Sequence, residues 1–301
     1  MSIKRGVYFL ANDKTLELSI AFLNSFRKFN PDMPLCLIPY NSDCKGITGL
    51  SNKYNFSILT DDQVLNACDK ISINFYGHIS GSFRKLSLWN GPFDEFIYID
   101  TDTVVLTNVE FSFKLLSDYD FITSHSSIPD IRKWVWKDSI YNANVLSEEQ
   151  INYSANTGYI ISHKKALPLT LVLKKLDAAL KIKDHMELWC GEQPFLNYLF
   201  VTSGKYTSIL SIFRKQYSLN LPLEKWAAQK FGITFRGKVY FPKNKHQILL
   251  VHWAGVYKPT NFEIWIYKKL FKFFGIKKDI PKISFFMPYK RLWKYYRYMK
   301  K

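Results

Sequence analysis

The chain has 301 residues, of which 47% are hydrophobic and 22% charged, ordinary globular usage that excludes a disordered, collagen-like or coiled-coil protein. Lys and Arg number 42 against 25 Asp and Glu, a net charge of +17, and aromatic residues reach 17%, so an acidic or membrane-surface partner has to be accounted for. With no internal repeat or low-complexity linker before about residue 260, the length reads as one catalytic-sized domain over 1–260 and an extension over 261–301.

Val7–Ala11 is a short apolar run ended by Asn12-Asp13, which predicts a buried strand, and Leu16, Ile20, Leu23 and Phe26 then recur at helical spacing over Leu16–Phe29. Asn30-Pro31 breaks that helix and Leu35–Pro39 supplies a second apolar run. The chain therefore opens as a β-α-β unit, and the fold class is α/β with a parallel sheet. Further strands are expected at Glu95–Ile99, Val104–Leu106, Phe121–Ser124, Gly158–Ile161 and Ile248–Val251, with helices at Gly81–Trp89 and Lys164–Leu180. Cys36, Cys44, Cys68 and Cys190 have neither C-x-x-C nor metal-ligand spacing, which points to a reducing, intracellular compartment. The first apolar stretch is too short for a signal-peptide core. No apolar run approaches the roughly 18 residues of a spanning helix, so membrane contact is expected from one side only.

Chemistry concentrates at Asp100-Thr101-Asp102, directly after the apolar strand Phe96–Ile99. If strand geometry persists, the period of two turns both carboxylates to one side. Carboxylates held together repel unless a cation lies between them, and hard divalent ions prefer such oxygens. His252 follows another apolar strand and adds an imidazole, a mixed N/O set better suited to Mn²⁺ than to Ca²⁺. Beyond it, Gly255 would let a phosphate approach the backbone and Lys258 would neutralise it. Each feature has a plainer reading, since D-x-D turns after strands are common and a lone His beside Trp is usually packed and hydrogen-bonded. Asp61-Asp62, Asp94-Glu95, Asp118 with Asp120, and Glu148-Glu149 are expected as solvated caps. His78, His125, His163, His185 and His246 show no mutual metal spacing.

A D-x-D after an apolar strand followed by H-x-x-G-x-x-K-P resembles the family 8 retaining glycosyltransferases. That resemblance implies a Rossmann-like GT-A nucleotide-diphospho-sugar transferase fold, with Mn²⁺ (or Mg²⁺) held on the diphosphate of a UDP-sugar by Asp100, Asp102 and His252. Gly255 and Lys258 would contact the diphosphate, Lys258 stabilising the leaving group. Three segments match in order: Ser82–Trp89, whose Lys85, with Arg84 as alternate, takes the place of a donor-binding basic residue; Asn156-Thr157-Gly158, whose Asn contacts the donor sugar; and Gly191-Glu192-Gln193. In the last of these Glu192 would bind sugar hydroxyls and Gln193 would lie near the anomeric carbon. Leu10-Ala11-Asn12-Asp13 ends the first strand as the family's uridine-contacting turn does. The resemblance covers roughly residues 5–260 and implies a hexosyltransferase acting with retention. Glu192 replaces the usual Asp, Thr260 the Trp that often follows K-P, and no tyrosine suits glycogenin-style self-glucosylation.

From Lys268 to Lys301 there are twelve basic residues and one acid, Asp279. Phe262, Trp265, Ile266, Leu270, Phe273 and Phe274, and then Tyr289, Leu292, Trp293, Tyr296 and Met299, fall mainly at helical spacing beside these charges. Two basic amphipathic helices are expected, suited to an anionic membrane surface or, alternatively, to packing and homo-oligomer contacts. No nucleic-acid motif accompanies the charge. The expected partners are a nucleotide-sugar donor, a glycan or glycolipid acceptor of lipopolysaccharide type and the cytoplasmic face of a membrane. The alternatives are a nucleotidyltransferase of related fold, against which the glycine-free Leu10–Asp13 turn counts, and a non-catalytic membrane scaffold.

Overall fold

The computed structural model describes residues 2–217, 224–226, 232–233, 239–240, 248–254 and Arg297. Gly255, Lys258 and the predicted tail helices, apart from Arg297, lie outside the described residues. The strands run in chain order as β1 (Arg5–Ala11), β2 (Leu35–Pro39), β3 (Ser57–Ile58), β4 (Glu95–Ile99), β5 (Thr103–Val105), β6 (Phe121–Thr123), β7 (Tyr159–His163), β8 (Tyr206–Ser208), β9 (Glu224–Trp226), β10 (Gly232–Ile233), β11 (Val239–Tyr240) and β12 (Leu250–His252). They belong to two compact units. The first comprises Met1–Asn12, Met33–Ile99 and Glu110–Pro222; the second comprises Asp13–Asp32, Asp100–Val109 and Leu223–Lys301.

The first unit is built on a seven-stranded sheet in the order β3-β2-β1-β4-β7-β6-β8. β1 pairs in parallel with β2, Val7 opposite Leu35, and with β4, Val7 opposite Ile97. Its apolar run is continuous because both faces are covered: Val7, Tyr8, Phe9, Ile97 and Ile161 have at most 0% exposure. The all-parallel expectation is corrected at β7, which runs antiparallel to both β4 and β6. A strand buried on both faces reads as an unbroken apolar run in either direction, so its sense is not encoded locally.

Local signals set several helix boundaries. The helix Asp62–Tyr76, which the apolar pattern did not reveal, begins where the Asp61 carboxylate accepts the Val64 N–H at 3.1 Å and ends at Gly77, whose φ of 72° a glycine adopts without strain. The predicted helix from Lys164 starts later, at Leu169, because Pro168 occupies its N-cap. Gly81–Asn90 is a 3-10 segment rather than an α-helix. One acidic pair expected as caps makes long-range ties instead: Asp94 accepts the Lys4 N–H at 2.9 Å and Glu95 pairs with Arg5 at 2.7 Å. Asp120 likewise holds His163 Nε2 at 2.9 Å and the Lys205 N–H at 2.7 Å.

The second unit pairs the helix Leu16–Phe29 with a three-stranded sheet in the order β5-β12-β9. That helix buries Ala21, Phe22, Leu23 and Phe26 and packs on β5. Ser25 Oγ accepts the Val105 N–H at 3.0 Å, while Asn30 accepts from Val109 N at 2.8 Å and donates to the Thr107 carbonyl at 3.2 Å. The strand expected at Val104–Leu106 thus exists, but in this small sheet and not in the large one. β12 is the central strand, antiparallel to β5 and parallel to β9. β10 and β11 form a separate antiparallel pair. Among the described residues no helix is long and apolar enough to cross a membrane.

Candidate functional site

The regular strand β4 stops at Ile99, and in the second unit Asp100, Thr101 and Asp102 lead through a bend into β5. Strand geometry does not persist through the D-x-D, so the period-of-two argument for a shared side fails. The two carboxylates converge for another reason: Thr103 Oγ1 donates to the Asp100 carbonyl at 2.7 Å and the Trp253 N–H donates to the Asp102 carbonyl at 2.9 Å. The second bond ties the turn to the residue following His252. His252 Nε2 then lies 3.1 Å from Asp102 Oδ1 and 3.7 Å from Asp100 Oδ2. One ligand atom from each of Asp100, Asp102 and His252 can be drawn such that all lie within 4.8 Å of one another.

His252 is 2% exposed, and its Nδ1 is 2.6 Å from Oε1 of Glu224, which is completely buried. Burial pushes the imidazole pKa down, but Asp102 and Glu224 outweigh it and hold the ring well above its ordinary 6.5. Three carboxylates around one buried imidazole form a site that demands positive charge. Two hard oxygen ligands and an imidazole, with no thiolate, suit Mn²⁺ or Mg²⁺, and a ligating histidine normally uses its other ring nitrogen on a carboxylate. The donor set therefore fits a divalent cation.

A second group of predicted residues converges in the first unit. Lys85 Nζ meets Glu192 Oε1 at 2.7 Å, with side chains only 7% and 6% exposed, and lies over the Tyr98 ring at 4.8 Å. Thr157 links the other two segments to this pair: its hydroxyl donates to Glu192 Oε1 and its N–H to Gln193 Oε1, each at 3.3 Å. Asn156 Oδ1 accepts the Gly158 N–H at 2.8 Å. Gln193 Nε2 donates to the Trp134 carbonyl at 3.1 Å. Lys85, Asn156, Gly158, Glu192 and Gln193 thus come from three separate sequence segments to one place. Arg84, the alternate to Lys85, is instead bound through Nε and Nη2 to Asp69 at 2.9 and 2.7 Å.

Local structure explains how the Glu192 segment is held. Gly191 has φ 68° and ψ −139°, a backbone open essentially to glycine alone. The Tyr76 hydroxyl donates to the Leu188 carbonyl and, at 2.9 Å, to that of Gly191. Asn197, one turn into the helix Gln193–Ser203, accepts the Ala155 N–H at 2.7 Å and donates to the Ala155 and Gln193 carbonyls at 2.9 Å. Sequence reading missed the positioning roles of Asn197 and Glu224; both act through contacts 42 and 28 residues away. At the β1 end, Leu10, Ala11 and Asn12 are buried, and Asn12 Nδ2 donates to Asn41 Oδ1 at 3.4 Å. Asp13 opens the 3-10 turn Asp13–Thr15 of the second unit.

Neither a protein-family model nor a curated protein matches the sequence. Solved structures do. The glycosyltransferase GlyE of Streptococcus pneumoniae TIGR4 matches over 99% of the chain with a TM-score of 0.56 and 15% identity. The galactosyltransferase LgtC, solved with donor and acceptor sugar analogues, matches over 92% of the chain and 98% of its own, with a TM-score of 0.54 and 15% identity. The bifunctional glycosyltransferase WbbM matches over 89% with a TM-score of 0.56 and 15% identity. The chain spans 61% of the GlyE structure and 52% of the WbbM structure. The likeness is one of fold, and the chain accordingly has the α/β architecture of the GT-A, family 8-like glycosyltransferases that its D-x-D and distal histidine resemble.

Proposed function

We propose that the chain is a divalent-metal-dependent hexosyltransferase that moves a sugar from a nucleotide-sugar, a UDP-sugar, to a glycan or glycolipid, with retention of configuration. The observation that carries this reading is the convergence of Asp100, Asp102 and His252 in a chain of GT-A fold. Bound by these three residues, Mn²⁺ or Mg²⁺ supplies charge stabilisation to a departing diphosphate, the kind of electrostatic term that is often the largest in catalysis. Glu192 accepts hydrogen bonds from sugar hydroxyls, with Lys85 fixing its carboxylate at 2.7 Å. Gln193, held through both ends of its amide, would lie near the anomeric carbon. Asn156 and Gly158 bind the donor sugar, Leu10–Asp13 and Thr101 the nucleotide, and Gly255 and Lys258 the diphosphate, Lys258 also stabilising the leaving group.

A thermal-shift screen of nucleotide-sugars with and without Mn²⁺ tests the reading, because a ligand specific to the folded state raises its stability. UDP and one or more UDP-sugars are expected to raise the midpoint only with metal present; no shift with any nucleotide under any metal would overturn it. The pH dependence has a definite sign. Metal must displace the proton that Asp102 and Glu224 hold on His252, so Mn²⁺ affinity falls about tenfold per unit as pH drops below the raised imidazole pKa. In the metal-free protein the proton's own stabilisation is full below about pH 6.5 and is lost as pH rises through that raised value. The Mn²⁺-induced rise in midpoint therefore grows with pH, which a titration series in the same assay reads directly.

The tail is proposed to hold the enzyme on an anionic, cytoplasmic membrane surface, on the strength of its charge and aromatic content. One of its charges is already engaged, since Arg297 meets Glu17 through two bonds of 2.5 Å. Truncation before Pro281 removes seven basic residues and no acid. Cosedimentation with anionic vesicles should fall sharply and weaken with salt, whereas equal binding to neutral vesicles, or none by the intact chain, would leave homo-oligomerisation as the tail's role.

A further inference from the structure

Glu224 is a charged residue that neither motif reading nor donor chemistry requires, yet it is completely buried. A carboxylate in that position costs several kcal/mol unless it is paired, so its partner carries the explanation. Glu224 sits opposite Leu250 in the parallel β9–β12 pairing, two residues from His252. Alternation along a strand puts Leu250 and His252 on one face, and this makes Glu224 the diagonal neighbour of the imidazole. The contact follows: Glu224 Oε1 to His252 Nδ1 at 2.6 Å. On the other side of the ring, Nε2 faces Asp102 at 3.1 Å and Asp100 at 3.7 Å.

We infer that Glu224 is the positioning residue of the metal site, accepting the Nδ1 proton of His252 so that the Nε2 lone pair is directed at the cation held with Asp100 and Asp102. The inference rests on the metal reading above and adds what makes His252 a competent ligand. A neutral imidazole carries one ring proton, and an acceptor on Nδ1 selects the tautomer with Nε2 bare. A carboxylate at this place only accepts, whereas an amide could also donate, so Glu224 Oε1 at 2.6 Å from Nδ1 favours the tautomer with its proton there. It also helps to fix the ring plane from the side opposite Asp102. Glu224→Gln removes this selectivity while keeping the shape, because an amide can turn its NH₂ towards Nδ1 and so stabilise the tautomer with the proton on Nε2, the ligand atom.

The test is Mn²⁺ binding to the full chain, followed by electron paramagnetic resonance of free Mn²⁺, with no substrate present. Loss of an outer partner of a ligating histidine weakens metal affinity by about 10–100-fold, and Glu224→Gln is expected in that range. Glu224→Asp, which retains an obligate acceptor, is expected to recover part of the loss. A Glu224→Gln protein that is folded by circular dichroism and binds Mn²⁺ within twofold of the wild type would overturn the role of Glu224 and leave the metal site standing. Absence of Mn²⁺ binding by the wild type would overturn both. Nitrogen-15 imidazole spectra of the Zn²⁺-loaded wild type decide independently of any variant's folding: a proton on Nδ1 of His252 with Nε2 metal-bound is expected, and a proton on Nε2 refutes the inference.

Discussion

Asp102→Asn is expected to abolish Mn²⁺-dependent binding of UDP and UDP-sugars while leaving the chain folded. The amide is isosteric, and the Trp253 N–H bond to the residue 102 carbonyl uses the backbone and survives. What disappears is an anionic ligand from a set that, among the described residues, comprises two carboxylates and one imidazole. In the metal-free protein Glu224 still pairs with the His252 ring at 2.6 Å, so no buried charge is left uncompensated. Sugar transfer should drop by about 10²–10³, the scale on which loss of one preorganised electrostatic group acts. Calorimetric titration with Mn²⁺ in the presence and absence of UDP checks it, and full transferase activity in the variant would remove the D-x-D from the mechanism. His252→Ala is a less clean probe. It leaves the wholly buried Glu224 without its histidine, and breaking such a pair costs about 3–5 kcal/mol, so loss of folding would obscure loss of metal.

Lys85→Met is expected to destabilise the protein by about 3–5 kcal/mol, the usual result of stripping one partner from a buried ion pair. Lys85 and Glu192 are 7% and 6% exposed and 2.7 Å apart, so the remaining carboxylate has little water to turn to. The Thr157 hydroxyl still donates to it at 3.3 Å, too weak a contact to replace the ammonium. The double variant Lys85→Met, Glu192→Gln removes the stranded charge and keeps an acceptor for Thr157. It should regain most of the lost stability, a coupling that urea unfolding of the four proteins in a double-mutant cycle measures. Stability and function then separate. If the pair serves the donor sugar, the folded double variant transfers sugar far more slowly than the wild type; wild-type turnover in it would reduce Lys85 and Glu192 to a structural tie.

What the sequence alone determined is local. Apolar runs and breakers located β1, the helix Leu16–Phe29, β2 and β4 to within a residue or two, because burial, periodicity and Asn-Pro punctuation act over a few residues. The D-x-D after an apolar strand, together with the family resemblance that joins His252 to it, named three candidate ligands, and the structure brings one ligand atom of each within 4.8 Å of the others. Only the tertiary structure decided the rest. The direction of β7 and the transfer of the Val104 strand to a second small sheet depend on partners distant in the chain. The pairing of Lys85 with Glu192 spans more than 100 residues, and nothing near Glu224 announces that it will face His252. A buried carboxylate acquires its role from the groups it meets, and for Glu224 the meeting with His252 is set by strand register, which no short stretch of sequence contains.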